Sequence, residues 1–360
     1  IWAIVRRYIQ RPYRIRIKTK PEHAVILGTF LAIGITGFGA EAFRIAVDGT
    51  PDYEKWSFIG YPIATWIDGM SASAISTWHQ WWWIGHVVSF VVFLAILPIT
   101  MLRHVFTSPI NMYLRDKDRP KGAMKPMPNL METELESFAA SVVEDFTWKQ
   151  LLDTDACTMC GRCTSVCPAH NVGKQLSPRD IILDLRSLLD DAQAAWANQA
   201  DESNGAEDEN EAERTLVGAR PALHADALWQ CTTCGACVDA CPVAIEQFPK
   251  LIDLRRFQVM EEADFPRQMQ DAVNSIEQRG HPFRGAQASR TDWTEGLEIP
   301  QIQDVENPEV LLWVGCGGAL VDRNQKSTRA LAQLLNHAGV KFGILGKDEA
   351  CTGDPARRIG

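Results

Sequence analysis

The sequence predicts a multidomain protein anchored in a membrane. It begins with part of a transmembrane α-helical bundle, continues with an all-α domain built on two cysteine ladders, and ends at the start of an α/β domain. Three observations carry this. Two apolar runs near the start are each about 20 residues long, enough to cross a bilayer. Eight of the ten cysteines fall into two identical ladders. The last stretch, about 305–360, reads strand, Gly-rich turn, helix, strand.

Composition narrows the class. A length of 360 residues suggests two or three domains. The net charge of −9 is unevenly spread, with a basic run at 6–20 and an acidic one at 201–213. The basic run is short and abuts an apolar segment, so nucleic acid is excluded as a partner. Clustered cysteines in a chain this large point to metal rather than disulfides, and to a reducing compartment. Ile1 at the start and "GDPARRIG" at the end predict an internal piece of a longer protein.

The first domain, 1–110, holds two predicted transmembrane helices at about 24–47 and 82–104. Basic residues flank both: 6–20 before the first, and Arg103, Arg115, Lys117, Arg119 and Lys121 after the second. The loop 48–80 carries Asp48, Asp52, Glu54 and Asp68 against one lysine. The positive-inside rule then places both basic ends in the cytoplasm. Trp56, Trp66, Trp78 and Trp81–Trp83 read as an aromatic belt at the outer end.

His86 and His104 lie 18 residues apart. On one continuous helix that is five turns, so both rings share a face about 27 Å apart along the axis. The spacing suits two haems, one per leaflet, each taking an imidazole from this helix. The alternative is a histidine that is merely wet at the interface, as His104 beside Arg103 or His79 would be. Pro98 predicts a kink. Gly28, Gly34, Gly37 and Gly39 permit close approach of a neighbouring helix or of a porphyrin.

The second domain, 130–290, holds the ladders. Cys157, Cys160, Cys163 and Cys167 precede Pro168, and Cys231, Cys234, Cys237 and Cys241 precede Pro242. Both read C-x2-C-x2-C-x3-C-P. Three close thiolates wrap one corner of a [4Fe–4S] cluster, and the fourth ligates the other cluster. One cluster is therefore assigned to Cys157, Cys160, Cys163 and Cys241, the other to Cys231, Cys234, Cys237 and Cys167. Zinc sites use four ligands in two pairs, not two four-cysteine ladders. Ser177 and Pro178 predict a helix start at 177–189. The acidic stretch 195–215 reads as a solvated insertion.

In the third domain, 305–360, Cys316 and Cys351 sit at the predicted strand ends, where α/β sheets bind ligands.

Three resemblances follow from these residues. The basic loop and the His-x17-His helix ending "PITMLRH" resemble the haem-b membrane subunit of respiratory nitrate reductases. "VGC…LLNHAGVKFGILGKDEACTGDPARR" resembles the first half of the cysteine-rich domain of heterodisulfide reductases. There Cys316 and Cys351 match the family, implying part of a further iron–sulfur cluster, while Thr352 replaces the second cysteine of a Cys-Cys-Gly. A hydroxyl is a weak ligand for iron beside sulfide. The whole order resembles the fused membrane iron–sulfur oxidoreductases of bacteria that oxidise electron-transfer flavoprotein and reduce menaquinone.

That resemblance implies a multi-pass protein of the bacterial cytoplasmic membrane, with its iron–sulfur domains on the cytoplasmic side. Its partners would be electron-transfer flavoprotein or another flavoprotein donor, a membrane quinone and the lipid bilayer. Electrons would pass to the clusters, to haem on His104, to haem on His86 and to quinone, with Trp78 and His79 bordering a quinone pocket. A thiol–disulfide reductase, and an electron-relay subunit of a larger complex such as a hydroxy-acid oxidase, remain as alternatives.

Overall fold

The computed structural model describes residues 1–12, 20–120, 123–124, 126–127, 129, 131–134, 139–201 and 215–360. Most of the acidic insertion, part of the basic run 6–20, and Lys121 lie outside the described residues. The chain divides into two compact units. The first comprises 1–118, 148–166 and 238–245, and the second 119–147, 167–237 and 246–360.

The first unit is led by two long helices, α1 (Glu22–Val47) and α3 (Ala72–Ile96), with the shorter α2 (Gly60–Ile67) between them. Both long helices are apolar enough to cross a membrane. Helix α3 exposes Ile84, Val87, Val88, Val91, Val92 and Leu94 on several faces. A broad apolar face left uncovered by protein suggests association with a membrane. The two helices pack closely where α1 has no side chain. A Cβ on Gly39 would lie 2.4 Å from the Trp82 ring, and one on Gly37 would lie 3.2 Å from His86 Cε1. Gly28 and Gly34 meet nothing within 4 Å. A small core of Ile45, Ala46, Ala64, Ile67 and Ile75 closes the end formed with α2.

The second apolar helix differs from the sequence expectation of 82–104. It starts ten residues earlier, where Ser71 Oγ caps the Ala74 N–H at 3.3 Å, and it ends at Ile96. The apolar pattern continues, but Pro98 has no N–H to offer the helix. After a single turn at Met101–Arg103 the chain restarts as α4 (His104–Tyr113). His86 and His104 therefore stand on separate helices, and the axial spacing inferred for one helix does not apply. Helix α4 packs on α5 (Trp148–Asp155).

In the second unit, α6 (Pro178–Asp201) begins where expected. Ser177 Oγ accepts from the Asp180 N–H at 3.4 Å, and Ile181, Ile182, Leu185 and Leu189 are buried. The helix runs past 195, so the beginning of the acidic stretch is helical. Helix α7 (Gln247–Arg256) buries Phe248, Leu251, Ile252 and Leu254, and α8 (Arg267–Arg279) follows.

The C-terminal part of this unit is a minimal parallel βαβ. Strand β1 (Val310–Leu311) pairs in parallel with β2 (Phe342–Gly343), and α9 (Gly315–Leu320) and α10 (Asp322–His337) lie between them in sequence. The first strand is shorter than its apolar run suggests, because Gly315 turns the chain into α9 at φ +71°. Cys316 thus lies in the first turn of a helix. Trp293, Ala319, Ala332, Phe342 and Ile344 form the core, and α11 (Asp354–Ile359) closes the chain.

Candidate metal centres

In the first unit the first ladder begins where α5 ends. Helix α4 holds this junction through side chains. Thr107 Oγ1 donates to Asp155 O at 3.1 Å, Ser108 Oγ donates to Ala156 O at 2.9 Å, and Arg103 pairs with Asp155 at 3.2 Å. Asn111, fully buried, donates to Val243 O at 2.9 Å and accepts from Lys149 Nζ at 2.7 Å. The helix that starts at His104 is thereby tied both to the residue before Cys157 and to the loop after Cys241.

The ladder wraps through two left-handed residues, Met159 (φ 53°) and Gly161 (φ 74°). This turns the Met159 N–H towards the Cys157 sulfur. Burial pushes the Cys157 thiol up to about 12, with Cys163, Cys241 and Cys160 pushing the same way. Burial also pushes Cys163 up to about 11, again with Cys241 and Cys160 adding to it. The Cys241 sulfur in turn accepts from the Ile245 N–H at 3.3 Å. The structure thus gathers Cys157, Cys160, Cys163 and Cys241 in one place.

In the second unit the second ladder repeats the same geometry. Thr233 (φ 52°) and Gly235 (φ 75°) take the left-handed positions, and the Thr233 N–H donates to Cys231 Sγ at 3.4 Å. In each ladder the second cysteine, Cys160 or Cys234, is exposed and the third, Cys163 or Cys237, is buried. Cys167, Cys231, Cys234 and Cys237 line one small pocket, walled by Phe248 and Leu251. Burial raises the Cys231 thiol, Thr233 and Arg255 lower it, and Cys167 and Cys234 raise it further.

Both sets suit a [4Fe–4S] cluster. Each offers four thiols, and an iron–sulfur core needs four thiolates and hydrogen bonds to its sulfurs. Among the described residues no three His, Cys, Asp or Glu side chains converge closely enough for a single metal ion. The raised thiols must shed their protons to bind iron, so loading releases protons.

The third pair also meets. Cys316 and Cys351 line a cavity of about 240 Å³ with Phe283, Trp313 and Thr352. Burial raises the Cys351 thiol, the Gly353 N–H opposes it, and the neighbouring Cys316 adds to the rise. Beneath them sits a fully buried ion pair, Arg290 Nη2 to Glu349 Oε1 at 2.7 Å. Arg290 Nη1 donates to Cys316 Sγ at 3.3 Å, and Glu349 accepts from the Val314 and Gly315 N–H groups at 3.0 and 2.6 Å. Sequence reading missed this pair. A glutamate two residues before Cys351 was its local trace, but its partner lies 59 residues away.

The histidines are arranged differently. His86 Nδ1 lies 3.2 Å from Thr36 Oγ1, which itself donates to Ala32 O at 2.6 Å. The Thr36 hydroxyl proton being committed, the imidazole N–H donates, and Nε2 is left as the free lone pair. His104 Nδ1 is likewise held by Met101 O. A metal-bound histidine commonly has its second nitrogen held in this way. His79 is partly buried on α3, and its Nδ1 has no partner among the described residues. His23, which sequence reading passed over, is buried at the start of α1 with Nδ1 on the Lys20 backbone.

The family described as 4Fe-4S dicluster domain matches residues 156–245. The chain is 35% identical to an EtfAB:quinone oxidoreductase of Syntrophomonas wolfei, over 98% of the chain and 52% of that protein. It is 34% identical to a probable iron–sulfur-binding oxidoreductase, FadF, of Bacillus subtilis, over its full length and 54% of that protein. It is 28% identical to one polypeptide of the dihydromethanophenazine:CoB–CoM heterodisulfide reductase of Methanosarcina mazei, over 60% of the chain and 50% of that polypeptide. The chain spans about half the length of these curated relatives. No solved structure matches it.

Proposed function

Because the chain belongs to the heterodisulfide reductase-like iron–sulfur oxidoreductases, we propose that it carries electrons from reduced electron-transfer flavoprotein to menaquinone in the bacterial cytoplasmic membrane. The observation that carries this reading is the exchange of fourth thiols. Cys241 stands with the first ladder, and Cys167 with the second. Each of the two clusters supplies a one-electron carrier when bound. Two thiol sets that exchange their fourth members fit electron relay rather than bond chemistry.

In this reading Cys157, Cys160, Cys163 and Cys241 hold one cluster, and Cys231, Cys234, Cys237 and Cys167 the other. Cys316 and Cys351 supply part of a third. Thr352 lines the same cavity in place of a second adjacent thiol, which disfavours disulfide chemistry there. The iron–sulfur domains face the cytoplasm in this reading, which the basic residues flanking the two apolar helices support. His86 and His104 each present Nε2 to a b haem, oriented by Thr36 and by the Met101 carbonyl. Trp78 and His79 sit on α3 about two turns before His86, where a quinone headgroup would be bordered.

The test uses the full-length protein in detergent, mixed anaerobically with reduced electron-transfer flavoprotein. Rapid growth of the reduced haem-b band, reversed by a menaquinone analogue, is the expected result. A haem that stays oxidised rules out this donor. Absence of any haem band removes His86 and His104 as ligands and leaves the membrane helices as an anchor.

A further inference from the structure

The two ladders are followed by the same triplet, Asp184-Leu185-Arg186 after the first and Asp253-Leu254-Arg255 after the second. The two arginines meet different surroundings. Arg186 pairs with Asp190 one turn on, at 2.5 Å. The position four residues after Arg255 is Val259. Arg255 is 3% exposed, and its donors go to carbonyl oxygens: Leu228 O at 2.6 Å, Cys231 O at 2.7 Å and Arg358 O at 2.9 Å. Its guanidinium also lies over the Trp229 ring at 4.9 Å. Neighbouring Arg256 and Arg358 have counter-ions in Asp253 and Asp354. Among the described residues no carboxylate stands within ion-pair distance of Arg255.

A buried charge is ordinarily paired, because desolvation alone disfavours it strongly. Here the side chain is anchored by the carbonyl of a cluster cysteine. A [4Fe–4S] core with four thiolates is net anionic, and it gains one further negative charge on reduction. A fixed cation beside it favours the reduced form. The principal influences on Cys157 and Cys163 are burial, hydrogen bonds and other thiols, with no cation among them.

We propose that Arg255 is the counter-charge of the cluster held by Cys167, Cys231, Cys234 and Cys237, and makes it the higher-potential member of the pair, the first to accept an electron. This rests on the two-cluster assignment made above. One electron enters, no bond forms or breaks, and no proton is taken up, because the guanidinium is already charged and stays so.

The test is a redox titration of the full-length protein with dithionite, followed by electron paramagnetic resonance. Cys234→Ser marks the signal of its own cluster. In the wild type the marked signal is expected to appear at the higher potential. Arg255→Gln should lower that step alone, shifting its reduced-to-oxidised ratio about tenfold at fixed potential, or about 59 mV for one electron. Arg255→Lys should restore most of the shift. The inference is overturned if the marked signal appears second in the wild type, or if Arg255→Gln moves both steps equally or neither. Should the glutamine variant lose its cluster, the wild-type order and the lysine variant still decide. Absence of any [4Fe–4S] signal in the reduced wild type overturns the cluster assignment itself, and this inference with it.

Discussion

Asn111 Nδ2 donates to the Val243 carbonyl at 2.9 Å, joining the helix that begins at His104 to the loop that follows Cys241. The same side chain accepts from Lys149 on the helix leading into Cys157. One buried amide therefore fixes both ends of the first thiol set relative to α4. Asn111→Leu strands the Val243 oxygen, at a cost of about 1–3 kcal/mol for an unsatisfied buried group, and leaves Lys149 held by Asp153. The expected outcome is a broadened resonance from the cluster at Cys157, Cys160, Cys163 and Cys241. The other cluster's signal should be unchanged.

The Arg290–Glu349 pair lies wholly inside the protein beneath Cys316. Removing one partner leaves the other charged and buried, which costs about 3–5 kcal/mol. Glu349→Gln should therefore lower the thermal midpoint markedly. Replacing both partners by apolar residues of similar size should recover only part of the loss, because the Val314 and Gly315 N–H groups then lose their acceptor. Thermal denaturation of the wild type and these two variants, read by intrinsic fluorescence, checks this.

The metal-free protein should be sensitive to alkali. The Cys157 and Cys163 thiols are raised to about 12 and about 11, above their ordinary 9.0. A raised thiol favours the folded state while protonated. That stability is fully present below pH 9 and is lost as pH rises through the folded values. Thermal midpoints of the iron-depleted protein should fall from about pH 9 upward. Loaded protein should not show this loss, because iron has already displaced those protons.

Thr36→Val keeps the shape of α1 and removes the acceptor for the His86 imidazole N–H. Loss of such a supporting partner typically costs about 10–100-fold in metal affinity. Haem content of the purified variant, read by pyridine haemochrome absorbance, should drop. Thr36→Ser, which keeps the hydroxyl, should retain it.

The ladders were legible because their ligand spacing is written in adjacent residues, and the left-handed turns at Gly161 and Gly235 come with the motif. The helix start at Ser177 and Pro178 was legible for the same local reason. The second apolar helix starts ten residues before the expected Trp82 and ends eight before His104; hydropathy continues beyond Ile96, but Pro98 has no N–H with which to extend the helix. Arg290 with Glu349, and Thr36 with His86, lie 59 and 50 residues apart in sequence. Only folding brings them together. Arg255 looked like any helix arginine; its carbonyl partners, with no carboxylate beside it among the described residues, set it apart.

The most direct measurement compares four serine variants of the full-length protein, each reduced and examined by electron paramagnetic resonance. They are Cys160→Ser, Cys241→Ser, Cys234→Ser and Cys167→Ser. The arrangement of thiols requires Cys241→Ser to disturb the same signal as Cys160→Ser, and Cys167→Ser the same signal as Cys234→Ser. If Cys167→Ser instead matches Cys160→Ser, and Cys241→Ser matches Cys234→Ser, each ladder holds its own cluster and the crossed pair of carriers is wrong.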